Sequence, residues 1–311
     1  MGNFSSTRRN RGRNDGNGCL YAVSENVRRR RESGEKVIAE WTEKLRAARA
    51  ALHMWEEPCI SGTRGSGAVF FSGCSLRCIF CQNYEIAQGN CAREISGDRL
   101  SEIFLELQEQ GAANINLVTA THFAPAVIGA LKKAKAQGMY LPVIYNSSGY
   151  ERVETVQMLE EVVDVWLPDF KYMDPELAFA CSKAKDYPEV AVAAIREMML
   201  AGGRCEYDDN GYIQKGVIVR HLILPGHTKN SIAVLDELYE TYGKNLTISL
   251  MNQYTPLPQV RDVPDLNRRV TKREYEKVLD HALDLGITQG FFQEGGTAKE
   301  SFIPLFDYEG L

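Results

Sequence analysis

The chain has 311 residues, of which 44% are hydrophobic and 25% are charged. These proportions are typical of globular proteins and exclude collagen-like, coiled-coil and wholly disordered chains. The sequence contains no apolar run of ~18 residues, so it predicts no membrane-spanning helix. Its charged start lacks the apolar segment of a secretory signal, and we therefore expect a cytoplasmic protein with no membrane partner.

The net charge of −5 conceals an uneven distribution. Positions 1–31 hold eight arginines and two acidic residues, which leaves 28 basic against 39 acidic residues in the rest of the chain. An acidic body disfavours a dedicated nucleic-acid binder, because such proteins present a basic face. We interpret residues 1–44 as a basic, disordered or irregular extension, since their first part is rich in Asn, Gly, Arg and Ser.

The predicted elements begin with a helix over Glu40–Trp55, a segment dense in Ala and Arg. Six short apolar segments, rich in β-branched or aromatic residues, then have the composition of strands buried on both faces. The predicted strands are Ala68–Ser72, Ile115–Thr119, Pro142–Tyr145, Val163–Leu167, Gly216–Leu222 and Leu246–Leu250. The predicted helices are Asp98–Gln110, Pro125–Gln137, Glu151–Glu161, Glu189–Leu200, Asn230–Tyr242 and Lys272–Leu285.

This alternation of strands and helices predicts an α/β fold with a parallel sheet. The sheet is either open or curled into a full or partial barrel. Both arrangements bind their ligands at the carboxyl ends of the strands. The loops that follow the strands are therefore the places to look for a functional site.

Three of the eight cysteines lie together straight after the first of these strands. Cys74, Cys78 and Cys81 have the spacing C-x3-C-x2-C on one short loop. Three thiolates can hold three corners of a 4Fe–4S cluster, which normally takes four protein ligands, and so leave one iron open for chemistry. The alternatives are a zinc site, for which Cys59 or Cys91 would supply a fourth ligand, and unliganded thiols. We expect the open cluster.

The cysteine loop resembles the signature of the radical S-adenosylmethionine (SAM) enzymes, in which C-x3-C-x-aromatic-C follows a first strand. The longer stretch from Gly65 to Ile86 is similar to one branch of that superfamily. This branch is related to pyruvate formate-lyase activating enzyme, and most of its members lack an assigned substrate. The resemblance implies a partial (β/α)6 TIM-like barrel over residues 45–296, with residues 297–311 as a C-terminal tail.

In that superfamily, reductive cleavage of SAM yields a 5′-deoxyadenosyl radical that abstracts hydrogen from a substrate. The resemblance makes Cys74, Cys78 and Cys81 the ligands of a 4Fe–4S cluster and the catalytic cysteines. It also places Phe80, directly before the last cysteine, against the adenine of SAM.

Two further pairs of predicted SAM contacts follow the second and third strands. Thr121 and His122 stand where the superfamily usually has a Gly-Gly-Glu type segment, and would bind the methionyl amino group in its place. Asn146 and Ser147 occupy the position of an Asp-Thr-Asn-Gly segment in the activating enzymes. An ordinary turn is the alternative for Asn146 and Ser147, because these residue types favour turns.

The later strands supply the remaining predicted contacts. Asp169 and Lys171 resemble the Asp-x-Lys segment of the activating enzymes, with the lysine suited to the methionyl carboxylate. The alternative for this pair is a surface ion pair at a helix start. Arg220 and His221 lie within the fifth strand, and alternation allows only one of them to face SAM. At the end of the sixth strand, the resemblance places Asn252 or Gln253 near the adenosyl group.

We therefore expect an oxidoreductase that abstracts hydrogen from a protein, as a glycyl-radical activase does. The expected partners are SAM, a reductant such as flavodoxin or ferredoxin, and a protein substrate. A small-molecule or nucleobase substrate is the first alternative, which the unusual Thr121-His122 segment keeps open. A non-catalytic iron–sulfur electron carrier or a zinc-binding module is the second.

Overall fold

The computed structural model describes residues 45–293 and 304–311. The predicted extension at residues 1–44 and the predicted boundary at residue 297 lie outside these ranges. The strands are β1 (Arg46–His53), β2 (Ser66–Phe71), β3 (Arg93–Glu94), β4 (Ile115–Val118), β5 (Val143–Ser147), β6 (Val165–Pro168), β7 (Glu206–Tyr207), β8 (Ile213–Val217), β9 (Val219–Leu222), β10 (Ile248–Met251) and β11 (Gly290–Phe292). The helices are α1 (Pro58–Ser61), α2 (Tyr84–Ala87), α3 (Gly97–Glu109), α4 (Ala124–Ala136), α5 (Val153–Leu159), α6 (Pro175–Ser182), α7 (Tyr187–Gly202), α8 (Thr228–Tyr242) and α9 (Lys272–Leu285).

Parallel pairing joins most of the strands into one series. Strands β2, β4, β5, β6 and β8 are neighbours in that order. Strand β9 continues β8 after the single residue Ile218, whose amide donates to Trp166 O at 3.0 Å. Strands β10 and β11 then follow beside β9, also in parallel. The α/β fold is confirmed, and the series β2-β4-β5-β6-β8/β9-β10 is the predicted partial barrel.

The two faces of the strands pack into different cores, as an alternation of period two requires. On one face, Tyr145 and Trp166 belong to the large core that also contains the helices. On the other face, which is the inner face of the partial barrel, Ile144 and Leu167 pack with Ile218 in a smaller cluster. Helix α1 contributes to that smaller cluster, so it closes the inner face from the side of the amino ends.

The predicted helix over Glu40–Trp55 is wrong within the described residues, where β1 replaces it. β1 pairs antiparallel with β2, and Ala51 lies opposite Ala68. The sequence has helical propensity because of its alanines, but propensity is a weak force that strand pairing overrides. The short alanine side chains on β1 are buried, which allows the strand to lie close against its neighbours.

The described part of the C-terminal tail, residues 304–311, packs along β1. The amide of Ala50 donates to Glu309 O at 2.9 Å, and the amide of Tyr308 donates to Ala48 O at 3.2 Å. Arg49 forms an ion pair with Asp307 at 2.6 Å. The tail therefore covers part of a strand edge that would otherwise expose unpaired backbone groups. Across both described ranges, every helix is too short or too polar to traverse a bilayer.

Candidate functional site

A cavity of about 240 Å³ lies at the carboxyl ends of the parallel strands. Cys74, Cys78 and Cys81 all contribute to its wall. The other predicted site residues that line it are Phe80, Asn146, Ser147, Asp169, Lys171, Arg220 and Gln253. The structure thus brings the cysteine loop together with side chains from strands that are far apart in the sequence.

The cysteine loop is fixed at its start by a glycine. Gly73 has a φ of +99°, in the region that favours glycine. A Cβ atom at this position would lie 3.0 Å from His122 Nε2. The amide of Gly73 donates to Ile86 O at 2.8 Å, which ties the loop to α2. The chain can therefore turn from β2 into the loop only because residue 73 has no side chain.

Helix α6 supports the same loop from behind. The carbonyl groups at the end of a helix have no partner within the helix. Here Cys181 O accepts from the amide of Ile79 at 2.9 Å, and Ser182 O accepts from the amide of Arg77 at 3.3 Å. The last turn of α6 and the cysteine loop therefore satisfy each other's backbone groups.

The three cysteines have the chemistry of metal ligands. Burial raises the pKa of the Cys74 thiol to about 11 and also raises the pKa values of Cys78 and Cys81, while the Lys171 ammonium acts in the opposite direction. Such thiols stay protonated at neutral pH, so their thiolates need a bound metal to stabilise them. Three half-buried cysteines on one cavity wall fit the three-cysteine ligand set of a 4Fe–4S cluster.

Among the described residues, no three His, Cys, Asp or Glu side chains converge as the ligands of a single metal ion do. A 4Fe–4S cluster does not require such convergence, because each cysteine binds a different iron atom.

A network of charged side chains forms another part of the cavity wall. Arg220 Nε donates to Asp169 Oδ1 at 3.0 Å, its Nη1 donates to Glu56 Oε2 at 3.2 Å, and its Nη2 donates to Asn146 Oδ1 at 2.6 Å. Lys171 Nζ forms an ion pair with the other oxygen of Asp169. Two cations thus balance two carboxylates, which allows these charges to be buried.

Opposite charges in this network stabilise the ionised forms of Asp169 and Lys171. Burial alone would raise the pKa of Asp169, but Arg220 and Lys171 outweigh it and hold that pKa below its usual range. Burial would likewise lower the pKa of Lys171, and Asp169 raises it instead. Asp169 and Lys171 are therefore charged at neutral pH, and Lys171 offers a fixed ammonium group to an anionic ligand group. For Glu56 burial acts in the opposite direction and raises the pKa, against the effect of Arg220.

Strand alternation explains why these side chains meet. Asn146 lies two residues after Ile144 on β5, and Arg220 lies two residues after Ile218. Residues two apart share a face, so the inner face is apolar near the amino ends and polar near the carboxyl ends.

Alternation also separates Arg220 from His221. Arg220 lines the cavity, whereas His221 is fully buried on the opposite face. His221 Nδ1 lies 2.6 Å from Phe170 O, and its Nε2 lies 2.9 Å from Ser231 Oγ in α8. Burial lowers the pKa of His221 to about 4, so the ring is neutral. Asn252 does not line the cavity either, although its neighbour Gln253 does.

Thr121 and His122 lie behind the cavity wall. Thr121 Oγ1 donates to Glu151 Oε1 at 3.1 Å and accepts from Tyr145 Oη at 2.9 Å. His122 Nε2 lies 2.9 Å from Ser72 O. Both side chains are buried among the protein's own groups, and direct contact with SAM stays a prediction for them.

Glu56 is a residue of the site that the sequence does not indicate. Glu56 lies in the loop after β1, where nothing nearby in the sequence marks it as the partner of Arg220. Besides Arg220, it accepts from Asn116 Nδ2 at 3.1 Å and from Asn146 Nδ2 at 3.3 Å. Its neighbour Trp55 also lines the cavity, with 54% of the residue exposed. The loop reaches the site because β1 pairs with β2. The sequence predicted a helix in place of β1, so this position of the loop was not expected.

Comparisons with known proteins identify the family of this fold. The model of a family described as the radical SAM superfamily matches residues 68–239, which is more than half of the chain. An uncharacterized protein of Methanocaldococcus jannaschii, MJ0674, is 30% identical over 241 residues. That alignment covers 74% of this chain but 65% of MJ0674, so it spans just under two thirds of the relative.

Two solved structures illustrate the similarity. HydG, a maturase of the [FeFe]-hydrogenase, has a TM-score of 0.51 at 14% identity, covering 74% of this chain and 52% of HydG. A domain of pyruvate-formate lyase-activating enzyme from Bacteroides vulgatus has a TM-score of 0.40 at 16% identity, covering 55% of this chain and 92% of that domain. The HydG likeness shows a shared fold. The matched family model shows that this chain belongs to the radical SAM superfamily, whose cofactors are a 4Fe–4S cluster and SAM.

Proposed function

We propose that this protein cleaves SAM reductively and uses the 5′-deoxyadenosyl radical to abstract a hydrogen atom from a protein substrate. It would thus act as an oxidoreductase similar to a glycyl-radical activase, supplied with electrons by flavodoxin or ferredoxin. The observation that carries the proposal is the wall of the cavity, where Cys74, Cys78 and Cys81 meet the network around Lys171 and Arg220.

Each part of the wall has a role in this proposal. Cys74, Cys78 and Cys81 would hold the cluster, which supplies the electron for SAM cleavage when it is bound. Phe80 would lie against the adenine; its ring centroid is 6.1 Å from that of Tyr254, which supports it from behind.

Polar groups of the network would orient the rest of SAM. Lys171 would bind the methionyl carboxylate, exchanging part of its ion pair with Asp169 for the new anion. Asn146, Ser147 and Gln253 would donate to or accept from the amino and ribose groups, because their side chains line the same cavity.

The buried residues would act by positioning the wall. Thr121 shares Glu151 with Ser147, since the two hydroxyl groups donate to different oxygens of that carboxyl at 3.1 Å. His122 fits against Gly73 at the start of the cysteine loop. His221 holds the segment after β6 through Phe170 O.

The rim of the cavity supports a protein substrate, which would present its reacting atom from outside. The half-exposed indole of Trp55 at the rim offers an apolar surface against which a peptide loop could pack.

The chemistry is tested with anaerobically reconstituted protein. Iron, sulfide and 5′-deoxyadenosine are measured after dithionite and SAM are added, for the wild type, Cys78→Ala and Cys205→Ala. Cys205 is the control, because it is half-buried and does not line the cavity. We expect about four irons per chain and deoxyadenosine from the wild type and Cys205→Ala. A wild type that makes no more deoxyadenosine than Cys78→Ala would contradict the proposal.

The substrate class is tested by the transfer of deuterium. Extract from fully deuterated cells is divided into macromolecular and low-mass fractions, and each is added to the reconstituted enzyme. A protein substrate predicts deuterium in 5′-deoxyadenosine with the macromolecular fraction, and loss of that signal after protease treatment. Transfer from the low-mass fraction alone would favour a small molecule, and transfer that nuclease abolishes would favour a nucleobase.

A further inference from the structure

Two hydroxyl groups behind the cysteine loop form a chain that ends on one of the three cysteines. Ser182, the last residue of α6, is 2% exposed, and its Oγ donates to Cys78 Sγ at 3.0 Å. The fully buried Tyr172 places its Oη 2.7 Å from the same Ser182 Oγ. Neither residue lines the cavity, and neither has a role in the proposed binding of SAM.

The direction of both hydrogen bonds follows from the chemistry of serine. A serine hydroxyl has one hydrogen to donate. Because Ser182 donates it to Cys78, Tyr172 must be the donor in the bond between the two hydroxyl groups. Burial raises the pKa of Tyr172, so the phenol keeps the proton that it donates. The chain therefore runs from Tyr172 through Ser182 to the sulfur of Cys78.

We propose that this hydroxyl relay, Tyr172–Ser182–Cys78, raises the reduction potential of the 4Fe–4S cluster, an inference that rests on the proposed function. A reduced cluster carries one more negative charge than an oxidised one. A hydrogen bond to a ligand sulfur therefore stabilises the reduced cluster more than the oxidised cluster. Tyr172 strengthens the effect, because a hydroxyl that accepts one hydrogen bond donates a stronger one.

The backbone around Ser182 allows the hydroxyl to be tested alone. The bonds that tie α6 to the cysteine loop use the carbonyl groups of Cys181 and Ser182. The substitution Ser182→Ala keeps those carbonyls and loses only the hydroxyl. Ser182 and Tyr172 are thus positioning residues for the cluster, and their effect should appear in its potential rather than in its assembly.

The test is a potentiometric titration of the reconstituted protein without SAM, followed by electron paramagnetic resonance. The variants are Ser182→Ala, Ser182→Thr, Tyr172→Phe and Ser101→Ala. Ser101 is the matched control, a buried serine of α3 whose Oγ lies 3.5 Å from Gln137 Oε1. Iron content and melting temperature are measured in parallel, so that only fully loaded, folded samples are compared.

We expect Ser182→Ala to shift the potential to more negative values and Tyr172→Phe to shift it less in the same direction. Ser182→Thr, which keeps a hydroxyl, and Ser101→Ala should match the wild type. Equal potentials in Ser182→Ala and the wild type would overturn the inference. If Ser182→Ala does not hold a cluster, Tyr172→Phe decides, and a wild-type potential there would overturn it as well.

The titration also separates this inference from the proposed function. A cluster whose potential falls in Ser182→Ala, in a wild type that cleaves no SAM, would support the relay and contradict the proposed function. SAM cleavage with an unchanged potential in Ser182→Ala would do the opposite. A wild type that assembles no cluster would overturn both.

Discussion

The inner face of the parallel strands has two halves with opposite chemistry. The half near the amino ends is a closed apolar cluster of Cys59, Ile60, Ile144, Val165, Leu167, Ile213 and Ile218. The half near the carboxyl ends carries Glu56, Asn146, Asp169, Lys171 and Arg220 on the cavity wall. Three segments contribute to both halves: Asn146, Asp169 and Arg220 each follow an apolar residue of the first half by two positions. In this fold, side chains near the amino ends of the strands stabilise the protein, whereas side chains near the carboxyl ends form the candidate site.

The largest effect should come from removing the central charge of the polar half. Arg220→Met would leave Asp169 and Glu56, both largely buried, without their shared cation. Breaking a buried network by removing one partner costs about 3–5 kcal/mol, so we expect the free energy of unfolding to fall by that amount. SAM cleavage should be lost as well. Urea unfolding measures the first effect, and deoxyadenosine formation measures the second.

The control for this variant is Arg196→Met, because Arg196 is exposed on α7. A surface substitution of this kind should change the free energy of unfolding by about 0.5 kcal/mol or less. Equal losses in the two variants would mean that the network around Arg220 does not stabilise the protein.

The apolar half should respond differently. Ile144→Ala removes a fully buried side chain from the cluster beneath Asn146 and leaves a cavity there. We expect a loss of about 2–4 kcal/mol in the free energy of unfolding, and about 1 kcal/mol for the smaller change Ile144→Val. Deoxyadenosine formed per bound cluster should stay at the wild-type value. A loss of turnover in folded, loaded Ile144→Ala would show that the two halves are coupled.

A buried carboxyl group behind the polar half, that of Glu151, makes the free energy of unfolding depend on pH. Burial raises the pKa of Glu151 to about 7, although the hydroxyls of Ser147 and Thr121 act in the opposite direction. The folded protein therefore keeps this proton at pH values where the unfolded chain releases it. Its contribution to the free energy of unfolding must fall as pH rises from the usual carboxyl range towards about 7.

Glu151→Gln removes this titration. Relative to the wild type, the variant should become more stable by about 1–3 kcal/mol when pH rises from about 5 to about 8. Melting temperatures across this range measure the difference. Glu154→Gln is the control, because Glu154 is exposed on α5. A constant difference between Glu151→Gln and the wild type would mean that Glu151 is ionised throughout.

The sequence predicted most of the parallel strands because each is buried on both faces and is therefore a short apolar segment. The helix Lys272–Leu285 matches in both bounds, since it begins with a capping box at Thr271 and Glu274 and ends at Gly286. The three-residue strand β11 is too short to leave a pattern. Strand β1 was misread because its alanines favour a helix locally, and only pairing with β2 makes it a strand.

In the site, as in the fold, the sequence indicated what depends on nearby residues and not what depends on distant contacts. The three cysteines are close together in sequence, so their spacing alone indicated a common site, and all three line the cavity. Asp169 and Lys171 were expected from their resemblance to an Asp-x-Lys segment at the end of a strand, and they line the same cavity. Glu56 could not be predicted, because its role depends on a contact with Arg220 that lies 164 positions away. Sequence patterns therefore indicated site residues that belong to a local motif. They did not indicate Glu56, whose partner is distant in sequence and is brought close only by folding.

The smallest effect on stability should come from the rim of the polar half. Trp55 is half-exposed, so Trp55→Ala should lower the free energy of unfolding by about 1 kcal/mol. Cleavage of SAM without substrate should also be unchanged, because the cysteine loop and the Arg220 network remain. Deuterium transfer from the macromolecular fraction should nevertheless fall, since a peptide loop would lose its apolar contact. Trp55→Phe, which keeps an aromatic ring, should restore part of that transfer. Equal transfer by the wild type and Trp55→Ala would show that the substrate does not bind against Trp55. The assignment of the cavity wall to SAM would be unaffected.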